Sequence, residues 1–166
     1  MNIRVGMGFD VHELEEGKPF YLGGIELKET TKGAVGHSDA DVLIHAICDA
    51  LLGAANLRDI GFHFSNKDAR WKGKDSKYFL KEVTRMLAEA NWKVGNVDCT
   101  ICLENPKINP HVQEMKRVLA PLMNIMEDAI SIKATTNEKL GYVGREEGVC
   151  AYAVTLIFKQ DSLANQ

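Results

Sequence analysis

One stretch decides the fold of this chain: residues 37–56, with the sequence HSDADVLIHAICDALLGAAN. Apolar residues recur there at helical spacing, which predicts a helix over residues 39–56. They are Val42, Leu43, Ala46, Ile47, Ala50 and Leu51. Ser38 or Asp39 is the predicted N-cap, because serine and aspartate side chains accept the first free N–H groups of a helix. The pattern therefore predicts a long helix with one buried face.

Strand and turn signals precede this helix. Residues 3–11 alternate as a strand does, and residues 18–27 are typical of a small hairpin that turns at Gly23-Gly24. Residues 57–74, after the helix, are polar and irregular. A loop of that length inside a compact domain is uncommon unless it is functional, so we expect a functional loop here.

The remaining residues alternate between helices and strands. The predicted helices are 76–91, capped by Asp75 or Ser76, 110–123, and a short turn at 138–141. The predicted strands are 93–104, 129–135 and 148–158, and the tail 160–166 is expected to be frayed. This order predicts an α/β (α+β) fold: one mixed β-sheet with helices packed on one face. We expect a single domain over residues 1–166 with an ordered core of about 3–158.

Composition excludes several classes of protein. The 166 residues carry a net charge of −3, which gives no support for nucleic-acid binding. No apolar run reaches the ~18 residues of a membrane span, and the first residues lack a signal-peptide core, so we expect a cytoplasmic protein. The four cysteines are predicted to be buried, reduced and structural, as is usual in the cytosol; they are Cys48, Cys99, Cys102 and Cys150.

Asp10, His12 and His45 are the candidate metal ligands. Asp10 and His12 are two apart on a predicted strand and point to the same side, and a helix brings His45 towards them. Carboxylate and imidazole suit zinc, manganese or similar ions, and three such ligands leave one position open for catalysis. Asp41 or Asp49, on the same helix face, is expected to orient the second ring nitrogen of His45. The residues alone leave an alternative open, in which these are packed or surface side chains.

Three further segments suit a phosphorylated substrate. His37 and Ser38 stand at the predicted helix start, where free backbone N–H groups favour anions. Residues 135–137, Thr-Thr-Asn, follow a strand and precede a short helix, and Glu138 could hold magnesium between two phosphates. A plain capping box of Thr135 with Glu138 is the alternative there. The loop 105–111 contains two prolines and could equally be a rigid connector. His63 and His111 are predicted to be surface or loop residues.

Taken in order, these segments resemble the family of 2-C-methyl-D-erythritol 2,4-cyclodiphosphate synthases, over residues 3–158. The matching segments are Gly8-Phe9-Asp10-Val11-His12, His37-Ser38-Asp39-Ala40-Asp41 with His45 and Asp49, Asp59-Ile60-Gly61, Lys72-Gly73 with Asp75-Ser76, Gly95-Asn96-Val97-Asp98, Pro106-Lys107, and Lys133-Ala134-Thr135-Thr136 with Glu138-Lys139-Leu140-Gly141.

The resemblance implies a homotrimer whose active sites lie at subunit interfaces around a central apolar channel. It implies Zn²⁺ (or Mn²⁺ or Co²⁺) on Asp10, His12 and His45, and Mg²⁺ or Mn²⁺ near Glu138 bridging the substrate phosphates. His37 and Thr136 match residues assigned to transition-state stabilisation. The implied substrate contacts are Ser38, Asp59, Ile60, Gly61, Phe64, Ser65, Asn66, Lys67, Asp68, Leu103, Glu104, Asn105, Pro106, Lys107, Ile108, Asn109, Thr135, Asn137, Tyr142 and Arg145.

The implied reaction converts 4-diphosphocytidyl-2-C-methyl-D-erythritol 2-phosphate into a cyclic diphosphate and CMP. A metal-dependent phosphohydrolase and a prenyl-diphosphate-binding trimer are the alternatives. The chain departs from the family pattern at the run Phe64-Ser65-Asn66-Lys67-Asp68, at Asn137 and at Glu146. The first two departures bear on substrate contacts, and Glu146 bears on the channel.

Overall fold

The structure is a computed structural model that describes residues 2–159, so the prediction for the tail 160–166 lies outside the described residues. The strands are β1 (Asn2–Glu16), β2 (Tyr21–Leu22), β3 (Ile25–Glu26), β4 (Lys32–Val35), β5 (Lys93–Cys102), β6 (Ile130–Thr135) and β7 (Gly148–Lys159). The α-helices are α1 (Val42–Ala55), α2 (Ile60–His63), α3 (Ser76–Glu89), α4 (Val112–Met123) and α5 (Gly141–Gly144). Single 3₁₀ turns cover Ala69–Trp71, Asn109–His111 and Glu127–Ala129.

The main sheet is mixed and has five strands in the order β4-β1-β7-β5-β6. Strand β5 pairs parallel with β6, and the other pairs are antiparallel. Strands β2 and β3 form a separate two-stranded sheet, whose turn at Gly23-Gly24 has positive φ at both glycines. The predicted mixed sheet and the predicted hairpin are therefore confirmed. None of the helices in residues 2–159 has the length and apolar character needed to cross a membrane.

Helix α1 lies unusually close to β1, and two glycines allow it. A Cβ added to Gly8 would lie 2.0 Å from the carbonyl oxygen of Ala46, and one added to Gly6 would lie 2.0 Å from that of Ala50. Both obstacles are helix backbone, which cannot move aside as a flexible side chain can. The small residues Ala46 and Ala50 complete the contact on the helix side and are fully buried. This contact sets the distance between the residues that β1 and α1 carry.

We expect Gly8→Ala to lower the free energy of unfolding by about 3 kcal/mol, the upper end of ordinary overpacking costs. The physical reason is that the added methyl group must push α1 off the sheet. Gly53→Ala is the matched control, because Gly53 also lies in α1 but has no atom within 4 Å of an added Cβ. The free energy of unfolding of the Gly53→Ala variant should equal that of the wild type or exceed it by up to about 1 kcal/mol. Denaturant unfolding measures both, and equal stability of the Gly8 variant and the wild type would contradict this packing argument.

The opposite face of the sheet is apolar and uncovered in the chain. Alternate β1 residues are exposed there, with Val5 at 66% and Met7 at 64%. The other exposed apolar residues of β1 and β7 are Ile3, Phe9, Val11, Tyr152 and Val154. An exposed apolar stripe of this kind on a folded chain is typical of an interaction surface.

Several predicted boundaries need correction. Neither Ser38 nor Asp39 caps α1; Asp41 does, accepting from Ile44 N at 3.0 Å. The same buried carboxylate accepts from Gly23 N and Gly24 N, so tertiary contact with the hairpin selects it. The loop 57–74 contains α2 and a 3₁₀ turn. The predicted turn 138–141 is wrong, because Glu138 and Lys139 have positive φ and the helix begins at Gly141.

The cysteine prediction holds for three residues in full. Cys48, Cys99 and Cys150 are buried, Cys102 is partly buried, and all four are free. Cys99 and Cys102 lie three apart on β5, so their side chains point to opposite faces of the sheet. A redox pair within Cys99-Thr100-Ile101-Cys102 is therefore excluded by geometry.

Candidate active site

Asp10, His12 and His45 converge where β1 meets α1. Asp10 Oδ2 lies 3.0 Å from His12 Nε2 and 3.0 Å from His45 Nδ1, and the two ring nitrogens are 3.2 Å apart. Asp10 and His12 lie on the side of β1 that faces α1, as Gly6 and Gly8 do, and His45 lies in the first turns of α1. The three predicted ligands are thus brought together by the close packing of one strand and one helix.

The charges of this cluster are strongly coupled. Burial by itself would raise the pKa of the Asp10 carboxyl, but hydrogen bonds and positive charge from His12 and His45 outweigh burial and lower the pKa well below its usual value. Burial would likewise lower the pKa of His45, but the hydrogen bond and charge of Asp10 raise it. The cluster therefore holds a carboxylate that remains ionised and would strongly favour a cation.

The three donor atoms fit a divalent metal ion. A tetrahedral zinc site with bonds of about 2.0–2.1 Å separates its ligand atoms by about 3.3 Å. The observed triangle, with sides of 3.0, 3.0 and 3.2 Å, is close to one face of that tetrahedron. Among residues 2–159 this is the one group of three ligand-type side chains close enough to share an ion. The triad is a site that could hold a divalent metal, and all three of its residues line a cavity.

The second ring nitrogen of His45 bonds to serine hydroxyls. His45 Nε2 lies 2.8 Å from Ser76 Oγ and 3.2 Å from Ser38 Oγ, and Ser76 Oγ in turn bonds Asp39. Because the Asp39 carboxylate accepts, the Ser76 hydroxyl donates to it and accepts from His45 Nε2–H. That arrangement leaves the lone pair of His45 Nδ1 free for a metal.

The expected hydrogen bond from the second ring nitrogen of His45 to Asp41 or Asp49 is therefore not formed. Asp41 caps α1, and Asp49 Oδ1 accepts from Ile60 N at 2.7 Å, which ties α1 to the start of α2. Helical spacing places both carboxylates on the face of His45, but each finds a backbone donor instead. The sequence analysis considered Ser76 as a possible helix cap and not as the partner of His45, because it lies 31 residues from His45, at the start of α3.

We expect Ser76→Ala to weaken metal binding by about 10- to 100-fold, the usual loss when the partner of a ligating histidine is removed. The reason is that the ring of His45 loses the acceptor that fixes its orientation and proton position. Competition with a chromophoric chelator measures the dissociation constant. Asp49→Asn is the matched control, since the amide oxygen can still accept from Ile60 N. The metal affinity of this variant should stay near that of the wild type. An unchanged affinity in the Ser76 variant would rule out this role.

A cavity of about 340 Å³ opens beside the triad. Besides the ligands, its walls include the predicted residues His37, Ser38, Ile60, Gly61, Phe64 and Asn66. Trp71 and Phe79 line it too, and the sequence analysis missed both. Their rings pack with Phe64, at centroid distances of 5.5 Å for Trp71 and 4.9 Å for Phe79. The cavity thus has one polar, metal-binding wall and one aromatic wall.

His37 lies at this cavity but not at a helix start. Helix α1 begins at Val42, so the free N–H groups predicted beside His37 and Ser38 are not there. His37 Nε2 instead lies 3.2 Å from the carbonyl oxygen of Asp68, which joins the segment before α1 to the 57–74 loop. The imidazole itself is available to the cavity.

A second cavity, of about 190 Å³, lies by β5 and β6, across the sheet from β1. Its walls are Leu103, Pro106, Lys107, Ile108, Asn109, Ala134, Thr135 and Thr136. Val11, Cys150, Cys102 and Thr135 pair in succession across β1, β7, β5 and β6. Three inter-strand steps of about 4.8 Å therefore put about 14 Å of sheet between the metal ligands on β1 and Thr135. Within one chain the two cavities are separate.

The remaining predicted residues line neither cavity. Asp59 caps α2, Asp68 pairs with Arg70, and Ser65 Oγ accepts from Lys67 N. Arg145 pairs with Glu147 at 2.9 Å. Tyr142 lies against Gly148 at the start of β7.

The junction after β6 also differs from both interpretations of its sequence. No capping box forms, and Thr136 Oγ1 donates to Glu138 Oε1 at 3.2 Å. The backbone N–H groups of Asn137 and Lys139 both donate to Glu104 Oε1. These donors therefore fasten the loop that follows β5, while Thr135 and Glu138 are exposed and Thr136 is partly buried.

The chain is similar to known proteins over nearly its whole length. The model of the YgbB family matches residues 3–158. The 2-C-methyl-D-erythritol 2,4-cyclodiphosphate synthase of Cytophaga hutchinsonii is 67% identical over 159 residues, which cover 96% of this chain and 99% of that protein. A solved 2C-methyl-D-erythritol-2,4-cyclodiphosphate synthase with bound CDP superposes with a TM-score of 0.85 at 38% identity, covering 93% of this chain and all of that one. IspF of Plasmodium falciparum in a CDP complex gives 0.85 at 30% identity, covering 96% and 98% of the two chains.

Proposed function

The chain belongs to the YgbB family, and on this premise we propose how its two cavities carry out the family's cyclising reaction. The activity is that of a 2-C-methyl-D-erythritol 2,4-cyclodiphosphate synthase in the non-mevalonate isoprenoid pathway. It converts 4-diphosphocytidyl-2-C-methyl-D-erythritol 2-phosphate to 2-C-methyl-D-erythritol 2,4-cyclodiphosphate and CMP. The enzyme is a phosphorus–oxygen lyase, since an internal phosphate displaces the nucleotide and no water enters the product.

The physical problem of this reaction is to bring two anions of one molecule together. The 2-phosphate attacks the β-phosphorus of the diphosphate, and CMP leaves. No protein nucleophile is needed, so the protein must fold the substrate into a reactive shape and offset its charge. Positioning alone can contribute up to ~7–11 kcal/mol of the barrier. Preorganised donors and cations stabilise the charge of the phosphoryl group in the transition state of its transfer.

The observation that carries the proposal is the Asp10–His12–His45 triangle opening on the 340 Å³ cavity. These residues would hold Zn²⁺, Mn²⁺ or Co²⁺, all of which accept this ligand set. When bound, such an ion acts as a Lewis acid on a phosphate oxygen. Asp10 offsets part of the ion's charge, and His12 and His45 remain neutral ligands. Ser38, beside His45, can donate to a phosphate oxygen in the cavity.

His37 and the aromatic wall complete the proposed reaction cavity beside the metal ligands. His37 lines the cavity, and the hydrogen bond from its Nε2–H to the Asp68 carbonyl oxygen fixes the ring, so an imidazolium His37 would have Nδ1–H left to donate to the phosphate as charge develops. Phe64, Trp71 and Phe79 exclude water, which strengthens each electrostatic contact and suppresses hydrolysis. This division of roles favours cyclisation over attack by water.

We assign the second cavity to the cytidine end of the substrate. Lys107 provides a positive charge at its wall, and Thr135 and Thr136 place hydroxyl groups there that would turn from their present acceptors, the Thr136 carbonyl oxygen and Glu138 Oε1, to a phosphate. Glu138 is an exposed carboxylate next to Thr136. A single carboxylate completed by substrate phosphates is the usual environment of Mg²⁺, so Glu138 would hold Mg²⁺ or Mn²⁺ there. Thr136 would support the transferring phosphoryl group from the side opposite His37.

The two cavities can serve one substrate if they belong to neighbouring subunits. About 14 Å of sheet separates them in one chain, which is too far for His37 and Thr136 to contact the same phosphorus. The exposed apolar face of β1 and β7 needs a partner. A homotrimer that packs these faces around a central channel would cover the stripe and join each metal cavity to a neighbour's nucleotide cavity. Light scattering coupled to gel filtration measures this assembly.

We also propose a cytoplasmic location. The four cysteines are free thiols, including Cys102 and Cys150, which lie directly opposite each other on β5 and β7. Free buried thiols are the normal state in a reducing compartment.

The function is tested by following the phosphorus NMR spectrum of the cytidine diphosphate substrate incubated with the protein in ¹⁸O-labelled water. The proposed reaction yields CMP and an unlabelled cyclic diphosphate. Labelled phosphate products would instead indicate a phosphohydrolase. Binding of prenyl diphosphates without any CMP release would indicate a binding protein.

Mixing two inactive variants tests the shared site. We expect His45→Ala and Lys107→Ala subunits, unfolded and refolded together in equal amounts, to recover up to about a quarter of wild-type activity. The reason is that each mixed trimer contains one interface with an intact metal cavity and an intact nucleotide cavity. Each variant refolded alone is the control. No recovery in mixtures shown to contain both subunits would contradict a site built from two chains.

A further inference from the structure

The loop that borders the nucleotide cavity is held by a side chain outside the cavity. Glu146 Oε1 accepts a hydrogen bond from Asn105 Nδ2 at 2.8 Å. Asn105 immediately precedes Pro106 and Lys107, which line the nucleotide cavity. Glu104, one residue earlier, accepts from Asn137 N at 2.8 Å. Two neighbouring loop residues are thus fastened to the segment between β6 and β7.

Glu146 is itself firmly placed. It has φ of +56°, and its backbone N–H donates to the carbonyl oxygen of Val143 at 2.9 Å. Its own carbonyl oxygen accepts from Lys32 Nζ at 2.9 Å. The tight turn between α5 and β7 therefore presents the carboxylate from a fixed base, with a second attachment to β4.

The loop has room to move away from the nucleotide cavity if this hydrogen bond is lost. A cavity of about 450 Å³ lies behind it, lined among others by Lys32, Asn105, Lys107 and Glu146. Asn105 and Lys107 thus face space on the far side of the loop. The Glu146–Asn105 bond spans one edge of that space, and it opposes displacement of Pro106 and Lys107 into it.

We propose that Glu146 is a positioning residue that acts through Asn105 to hold the 103–109 loop in its nucleotide-binding shape. The inference rests on the proposed assignment of the second cavity to the cytidine end. Glu146 touches no substrate in this account. Glu146 keeps the loop in its binding conformation before the nucleotide arrives. Preorganisation of this kind changes the affinity for the nucleotide more than the turnover rate.

The test compares Glu146→Gly and Glu146→Gln in the full-length enzyme. Glycine adopts φ of +56° without strain, so the fold should be retained and thermal unfolding should show it. We expect Glu146→Gly to raise KM for the cytidine diphosphate substrate, and the calorimetric Kd for CMP, by roughly 3- to 10-fold, with kcat nearly unchanged. Glu146→Gln keeps an acceptor oxygen and should bind CMP almost as the wild type does.

A double-variant cycle with Asn105→Ala tests whether the effect of Glu146 on nucleotide binding acts through Asn105. Removing Glu146 should add nothing once Asn105 is gone, because both variants break the same bond. Wild-type KM and CMP affinity in Glu146→Gly, equal losses in the Gln and Gly variants, or additive losses in the double variant would each overturn the proposal. In those cases CMP would still form, and the proposed function would stand. A wild-type protein that neither binds CMP nor produces it overturns both.

Discussion

His45→Ala should yield a folded protein that has lost its tightly bound metal ion and turns over substrate at least about 10³-fold more slowly. His45 contributes one of three donor atoms, and its Nδ1 lies 3.0 Å from Asp10 Oδ2 and 3.2 Å from His12 Nε2. Two remaining ligands cannot define the open coordination position that a phosphate oxygen must occupy. Alanine favours helix, and the ring borders an existing cavity, so its removal enlarges that cavity without leaving a sealed void.

Metal content by mass spectrometry and turnover by CMP release measure the two effects. His111→Ala is the matched control, because that imidazole pairs with Glu29 and lines neither cavity. The control should keep its metal and its activity. Full turnover by metal-free His45→Ala protein would refute the ligand assignment.

Removal of the metal from the wild-type protein should have the second large effect. We expect a strong chelator to abolish CMP release, and Zn²⁺, Mn²⁺ or Co²⁺ to restore it to different degrees, since all three accept one carboxylate and two imidazoles. The melting temperature should also fall. An ion present at about 1,000 times its Kd stabilises the folded state by about 4 kcal/mol, which corresponds to roughly 8–16 °C for a chain of this length.

The His45→Ala variant is the control for chelation. Its melting temperature should not respond to chelator, because a protein without the site gains no stability from binding an ion there. Wild-type protein that remains fully active after its metal content falls to zero would show that the triangle has a structural role only. A chelated wild type that loses activity without any change in melting temperature would place the essential ion elsewhere, for example at Glu138.

Local pattern was enough to predict most of the elements. The helical spacing of apolar residues predicts α1 and α3, and alternation predicts β1, β5 and β7, because each pattern reflects which side of an element is buried. The boundaries were less accurate. Asp41 caps α1 because the backbone N–H groups of the hairpin turn Gly23-Gly24 also donate to its carboxylate. Local sequence patterns do not predict a contact with a turn that lies 17 residues earlier in the chain.

The metal ligands could also be predicted from the sequence, whereas their supports could not. Asp10 and His12 share a side of one strand, so their proximity follows from strand geometry. Helical spacing made Asp41 and Asp49 equally good partners for His45, yet both accept from backbone N–H groups. Ser76 and Asp39 take that place because α3 packs beside α1, which brings together residues that are far apart in the chain.

By itself, then, the sequence determined the chemistry: the ligand types, their spacing on a strand and a helix, and the polar loops around them. These properties are local, because period and residue type fix which side chains share a face. Only the tertiary structure decided how close α1 lies to β1, which groups orient His45, and that about 14 Å of sheet separates the cavity beside the triad from the second cavity. Those properties depend on contacts between distant segments, where packing and the competition for hydrogen-bond partners, rather than local preference, select the outcome.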